Sequence, residues 1–271
     1  MKIISKLYIG LIIFFLYAPL AVMVVFSFNS SNSTSVFEGF SLQWYAELFR
    51  NSSVLNALGN TLLLALLSAI IATVLGSAAA VGIFSYRKKW KKSIMMSVTN
   101  IPMMNPDIVT GISMMLLFVF FGRMLALRSS LSFITLLIAH VTFNLPYVIL
   151  SVMPKLNQLD NHLSEAALDL GCTPAKSFFK VILPSISSGI VTGLIMAFTL
   201  SLDDFVISYF TTGPEFQTLP LLIYSMTKRR VTPDMYALST IMFLSVLLLL
   251  ILFNFASSKA TRKKANNWKK S

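Results

Sequence analysis

Five stretches of this chain, residues 7–37, 51–86, 129–154, 181–202 and 235–258, contain no Asp, Glu, Lys or Arg. An uncharged apolar run of about 18 or more residues is long enough to cross a hydrocarbon layer as a helix, the form that satisfies its own backbone hydrogen bonds there. These runs point to an all-α integral membrane protein. Of the 271 residues only 12% are charged, against roughly 25% in a soluble domain. A soluble enzyme, a secreted disulfide scaffold and a disordered chain are thereby excluded. Cys172 is the single cysteine, which excludes an intrachain disulfide and a Cys-rich metal site and leaves it as a small packing residue.

Six spans are expected, at approximately 7–28, 57–85, 94–121, 131–153, 186–210 and 236–256, in one transmembrane domain over 1–271 with no soluble domain and no internal repeat. The net charge of +12 invites a nucleic-acid reading, but the cations fall in short clusters between apolar segments, such as Arg87–Lys92 and Lys259–Lys270. That is how a membrane chain marks its cytoplasmic loops, so no nucleic-acid partner is expected. With the amino terminus inside, 16 of the 22 basic residues are cytoplasmic; the outer six are Arg50, Arg123, Arg128, Lys228, Arg229 and Arg230. The positive-inside rule therefore places both termini in the cytoplasm. The first span exceeds a signal-peptide core and lacks a small-residue cleavage site, so it reads as retained. Gly76…Gly82 and Gly189-x-x-x-Gly193 are close-approach signals, expected to serve packing within the chain.

The loop 155–184 between the fourth and fifth spans carries two sets of helix signals. Asp160 or Ser164 can cap a first helix through Glu165-Ala166-Ala167-Leu168, which Gly171 can end in the left-handed conformation. Thr173 followed by Pro174 supplies a cap and first turn for a second helix through Lys180. Leu163, Ala166, Ala167 and Leu170 share one face. An exposed apolar helix pair at the membrane surface is a docking element for a cytoplasmic partner.

Glu165-Ala166-Ala167, three residues, Gly171, nine residues, then Val181-Ile182-Leu183-Pro184 resembles the EAA loop of importer-type ABC transporter permeases. The resemblance implies a type I (MetI-like) permease whose loop docks on an ATPase subunit. It assigns Glu165, Ala166, Ala167, Gly171 and Pro184 to ATPase coupling. Val181 and Cys172 are mild departures from the pattern. Asn105-Pro106-Asp107-Ile108-Val109, Phe198–Phe205, Thr212-Gly213-Pro214 and Leu219–Met226 are similar to the polyamine (spermidine/putrescine) permeases of the PotC type. That likeness implies a heteromeric importer in a bacterial cell (inner) membrane: this subunit, a sister permease, two ATPase subunits and an extracytoplasmic polyamine-binding protein, surrounded by lipid. No cofactor is expected on this chain, because ATP and magnesium belong to the ATPase. Lys228-Arg229-Arg230 departs from the family, and this outer cation cluster either repels a polycation or pairs with acids of the binding protein.

Three intramembrane acids carry the case for a cationic cargo. Taken as continuous helices, the spans put Asp107 about 21 Å above Ser93 and Asp203 about 26 Å above Ile186, a shared level outside the midplane. A charge at such depth costs about 2.5–3.5 kcal/mol on insertion scales. No Lys or Arg lies in these spans, so pairing within the chain is not expected, and Asp107, Asp203 and Asp204 are expected on the substrate path with Ser201. Adjacent helix positions point about 100° apart, so one of Asp203 and Asp204 faces a sister subunit or caps a broken helix. Asn105-Pro106-Asp107 can itself cap a broken helix. Trp44 and Tyr45 in the outer loop are candidates for cation–π contact with cargo, or for interfacial anchoring. His140 reads as a satisfied core histidine rather than a proton relay.

Enzyme chemistry finds no support. The chain lacks a phosphate-binding Gly-x-x-x-x-Gly-Lys-Ser/Thr loop, and His140 and His162 are expected away from any Asp/Ser pair that could complete a triad. Two alternatives stay open: an ABC permease for another cationic or small solute, and a secondary cation transporter, which would have no need of the loop 155–184.

Overall fold

The computed structural model describes residues 2–31, 36–86, 88–126, 129–160, 162–228, 232–248 and 251. Arg87, Arg128, Arg229, Arg230, the side chain of Ser164, most of 249–256 and the tail Lys259–Lys270 lie outside this set. The helices are α1 (Lys2–Phe26), α2 (Gln43–Leu48), α3 (Ser52–Phe84), α4 (Lys89–Met104), α5 (Asp107–Met124), α6 (Phe133–Asn157), α7 (His162–Asp169), α8 (Pro174–Ser177), α9 (Leu183–Asp203), α10 (Val206–Thr211), α11 (Leu219–Thr227) and α12 (Pro233–Leu248). A π-helical turn, Phe178–Ile182, joins α8 to α9. Among the described residues five helical stretches are long and apolar enough to cross a membrane.

Two of the expected spans are broken. The 94–121 run divides between Met104 and Asp107 because Pro106 disfavours the helical conformation in the residue before it; Asn105 is extended at φ −79°, ψ 136°. The 186–210 run divides after Asp203, and Asp204 is extended at φ −64°, ψ 121°. No proline stands there. The fifth span also begins earlier than expected: Pro174–Asp203 is one continuous helical stretch, so the second loop helix runs through the π turn into the membrane.

The chain forms two compact units. The first, 1–58 with 219–271, holds α1, α2, the start of α3, α11 and α12. Its core is Leu48, Val54, Ala57, Leu219, Ala237 and Leu238. Helix α1 keeps Phe14, Phe15 and Leu16 exposed, as suits a helix surrounded by lipid. Behind it, Asn29 pairs with Phe40 in an isolated bridge.

The second unit, 59–218, contains the remaining helices. Its core joins α3, α6 and α9 through Ala69, Ala72, Val148, Val152, Ile186 and Ala197. Helices α6 and α9 touch along Gly189 and Gly193: a Cβ at Gly189 would stand 2.9 Å from the Ser151 carbonyl oxygen, and one at Gly193 3.2 Å from Val148 Cγ1. Lipid tails are as apolar as these side chains, so close backbone packing is what holds such helices together. Gly76 packs on Val148 in the same way, whereas Gly82 meets open space.

Candidate functional site

Both helix breaks lie in the second unit. Gly111, one turn into α5, packs against the Phe210 ring and the Val206 carbonyl of α10. Farther along, Gly122 lies against Ser130, Gly213 lies against Leu131 and Ser132, and the Thr135 hydroxyl donates to the Thr211 carbonyl at 3.0 Å. Helices α5 and α10 thus run in parallel toward the end where α6 begins. Their starting ends, with Asp107 before one and Asp203–Asp204 before the other, lie on the same side of the crossing.

Asp107 is the first residue of α5 and is exposed. The neighbouring Asn105 amide donates to the Thr110 hydroxyl at 3.0 Å, which closes the break locally without using the carboxylate. An open groove of about 740 Å³ adjoins this point, lined among others by Ile101, Met104, Asn105, Thr110, Met114 and Phe143. The Phe143 and Tyr147 rings stand 5.6 Å apart. Asp203, the last residue of α9, is also exposed. Among the described residues neither carboxylate has a cation within ion-pair distance.

Asp204 differs. The Ile207 and Ser208 N–H groups donate to Asp204 Oδ1 and Oδ2 at 3.2 and 2.8 Å, which caps α10. His140 Nε2 stands 3.4 Å from Asp204 Oδ2 and 3.1 Å from Ser208 Oγ, with the His140 and Asp204 side chains only 1% and 9% exposed. The expectation that no acid is paired within the chain is therefore corrected for Asp204. The partner is a histidine, not a Lys or Arg. Placing His140 away from any Asp/Ser pair is corrected too. The cluster is still no catalytic triad, because serine and aspartate share one ring nitrogen whereas a triad uses both.

Ser201 is buried at 2% exposure. Its hydroxyl lies 2.9 Å from Ser68 Oγ and accepts from Asn144 Nδ2 at 2.7 Å, so it ties α3, α6 and α9 together and is not open to a path. Trp44 belongs to the first unit. Its indole N–H donates to the Asn29 carbonyl at 2.7 Å, and the Tyr45 hydroxyl is 2.7 Å from Ser27 Oγ. Both rings pack against the core there.

The loop is built as two capped helices. The His162 N–H donates to Asp160 Oδ1 at 3.0 Å, which starts α7. Its end is a Schellman closure: Gly171 sits at φ +83°, the Gly171 N–H donates to the Leu168 carbonyl at 2.9 Å and the Cys172 N–H to the Ala167 carbonyl at 3.0 Å. Thr173 Oγ1 accepts from the Lys176 N–H at 3.4 Å, with Pro174 in the first turn. Leu170 is 86% exposed, and Leu163 and Ala166 are exposed as well. Ala167 turns inward instead, so the expected four-residue apolar face is reduced by one. Glu165 and His162 face each other at 3.2 Å on the open side. Pro184 opens α9 just beyond the π turn.

Membrane-crossing helices, acids at two helix breaks and a capped two-helix elbow together define a transport permease. The chain belongs to the family of binding-protein-dependent transport system inner membrane components, whose sequence model matches residues 72–263. It is 40% identical over 227 residues to the putrescine transport system permease protein PotI of Escherichia coli K12, covering 84% of this chain and 81% of that one. It is 38% identical over 245 residues to the spermidine/putrescine transport system permease protein PotC of Haemophilus influenzae, covering 90% and 93%. In structure it resembles a chain of a bacterial ABC transporter involved in the import of the acidic polysaccharide alginate, with a TM-score of 0.73 at 16% identity over 96% of this chain and 95% of that one. The fold is that of ABC importer permeases.

Proposed function

We propose that this chain is one permease half of an ATP-driven polyamine importer. It forms part of the translocation path and couples to an ATPase through the loop 155–184. The fold does not set the sign of the cargo, since a permease of the same fold serves an acidic polysaccharide. The observation that carries the cationic reading is the pair of exposed carboxylates, Asp107 and Asp203, at two helix breaks with no cation of this chain beside them among the described residues. The groove next to Asp107 supports the same reading, because its methionines and Phe143 suit the methylene spacers of a polyamine. Likeness to putrescine and spermidine/putrescine permeases agrees.

The partners are a sister permease, two ATPase subunits that hold ATP and magnesium, and an extracytoplasmic polyamine-binding protein. The orientation with both termini in the cytoplasm follows from the distribution of basic residues and puts α7 on the ATPase side. There the exposed Leu163, Ala166 and Leu170 meet the ATPase and Glu165 offers it a carboxylate. A path binds its cargo weakly enough to release it, so affinity resides in the binding protein.

The test is uptake of radiolabelled putrescine and spermidine by the complex reconstituted in liposomes with internal ATP. ATP-dependent accumulation is expected; uptake driven by an ion gradient alone would refute the importer reading. Gly171→Leu, which forces a side chain into the left-handed conformation at a cost of about 1–2 kcal/mol, is expected to leave membrane insertion intact. It should reduce uptake at least fivefold while ATP hydrolysis persists. Unchanged uptake would remove the coupling role of this turn.

A further inference from the structure

The break between α9 and α10 has no proline to enforce it, and the acid that caps α10 is nearly sealed from solvent. A buried carboxylate costs several kcal/mol unless its oxygens are matched by donors. Asp204 has two, the Ile207 and Ser208 N–H groups of the helix that it starts. His140 Nε2, from the first half of α6, stands 3.4 Å from Asp204 Oδ2, at ion-pair distance, and is hydrogen-bonded to Ser208 Oγ at 3.1 Å, so the break is completed only when α6 is in place. A carboxylate beside Nε2 favours the ring proton on that nitrogen, where Ser208 Oγ can accept it. His140 Nδ1 is buried without a hydrogen-bond partner among the described residues, so the ring acts through Nε2. One turn farther along the same face of α6, Asn144 holds Ser201, two residues before Asp203. Helix α6 thus grips the chain on both sides of Asp203 while Asp203 itself stays exposed.

We propose that His140 is a positioning residue for transport: through Nε2 it clamps Asp204 and the start of α10 to α6, and the clamp presents Asp203, not Asp204, to the cargo. Asp204 then acts on transport through the backbone, without touching the passenger. The role of Asp203 rests on the polyamine reading above; the clamp itself does not.

The decisive variants are His140→Gln and His140→Asn in the assembled complex. A glutamine amide places its N–H donor near the position of Nε2, whereas the shorter asparagine amide does not reach it. Both are polar and fit the site, so folding is spared. The clamp predicts that His140→Gln keeps at least half of the wild-type maximal uptake rate. His140→Asn is predicted to lose about fivefold or more, in line with an interhelical hydrogen bond in lipid, with KM within twofold of wild type. Equal uptake rates for the two variants, or a KM change in His140→Asn matching that of Asp203→Asn, would overturn the proposal.

A readout independent of cargo is a double-mutant cycle on the thermal unfolding of the purified complex, using His140→Asn and Asp204→Asn. Losses that are not additive are expected, the second substitution removing little once the first is made. Strictly additive losses would overturn the clamp even where uptake agrees. Should the wild-type complex take up no polyamine, the cargo assignment falls and the cycle alone still decides the clamp.

Discussion

The α4–α5 break and the α9–α10 break each interrupt a membrane-crossing run beside an acid, yet they are built by opposite means. At the first, Pro106 imposes an extended Asn105 and a short bond from Asn105 to Thr110 finishes the turn. Every participant lies within five residues, and Asp107 is left exposed with no structural duty. At the second, no residue type forbids the helix. Asp204 is extended, and its carboxylate accepts from two backbone N–H groups of α10, with the ring of His140 from another helix beside it. The locally enforced break keeps its acid available to a ligand, whereas the break held by tertiary contacts uses up Asp204 and leaves only Asp203 open. Identical residue types in similar surroundings therefore carry different work.

The comparison is broken most directly by removing each acid. Asp204→Leu leaves the Ile207 and Ser208 N–H groups without their acceptor in a nearly sealed interior, a loss of about 2–6 kcal/mol at roughly 1–3 kcal/mol for each orphaned group. The expected result is little assembled complex in membranes and a sharply lower melting temperature. Asp107→Leu breaks no hydrogen bond seen in the structure and removes only a favourable charge at a helix start, within about 1 kcal/mol. Near-normal assembly is expected, and equal losses for the two variants would erase the distinction.

Next in size are the exposed acids as cargo contacts. Asp107→Asn and Asp203→Asn are expected to raise KM for polyamine uptake about tenfold, which is about 1.4 kcal/mol, at unchanged membrane levels. Uptake kinetics with wild-type KM in both would leave the exposed carboxylates without a role.

Smaller effects sharpen the same contrast. Pro106→Ala lifts the restriction on Asn105 and lets α4 and α5 join, so uptake should fall below half while stability changes by less than about 1 kcal/mol. A wild-type rate would show that this break survives without its proline. Asn105→Ala loses one partly exposed bond to Thr110, about 0.5 kcal/mol at the low end for such a bond, and should lower the melting temperature by a few degrees at most.

The elbow 155–184 was the most legible part of the chain. Asp160, Gly171, Thr173 and Pro174 each act on backbone within a few residues, so capping chemistry read from the sequence reappears atom by atom. The Gly189-x-x-x-Gly193 packing was legible for a related reason, since absent side chains in lipid mark where another backbone comes close. The breaks were half legible. Asn105-Pro106-Asp107 carries its own signal, and the doublet Asp203-Asp204 forced the two carboxylates apart. The inward placement of Ser201 and Asp204 was not legible, because no local rule reveals that α6 brings Asn144 and His140 beside them.

By itself the sequence determined the class, the apolar runs and the two capped helices of the elbow, because hydrocarbon thickness and backbone capping act over short stretches of chain. Only the tertiary structure decided which acids remain open. A carboxylate in lipid takes whatever partner the packing delivers, and the side chain beside Asp204, His140, sits on a different helix, far away along the chain.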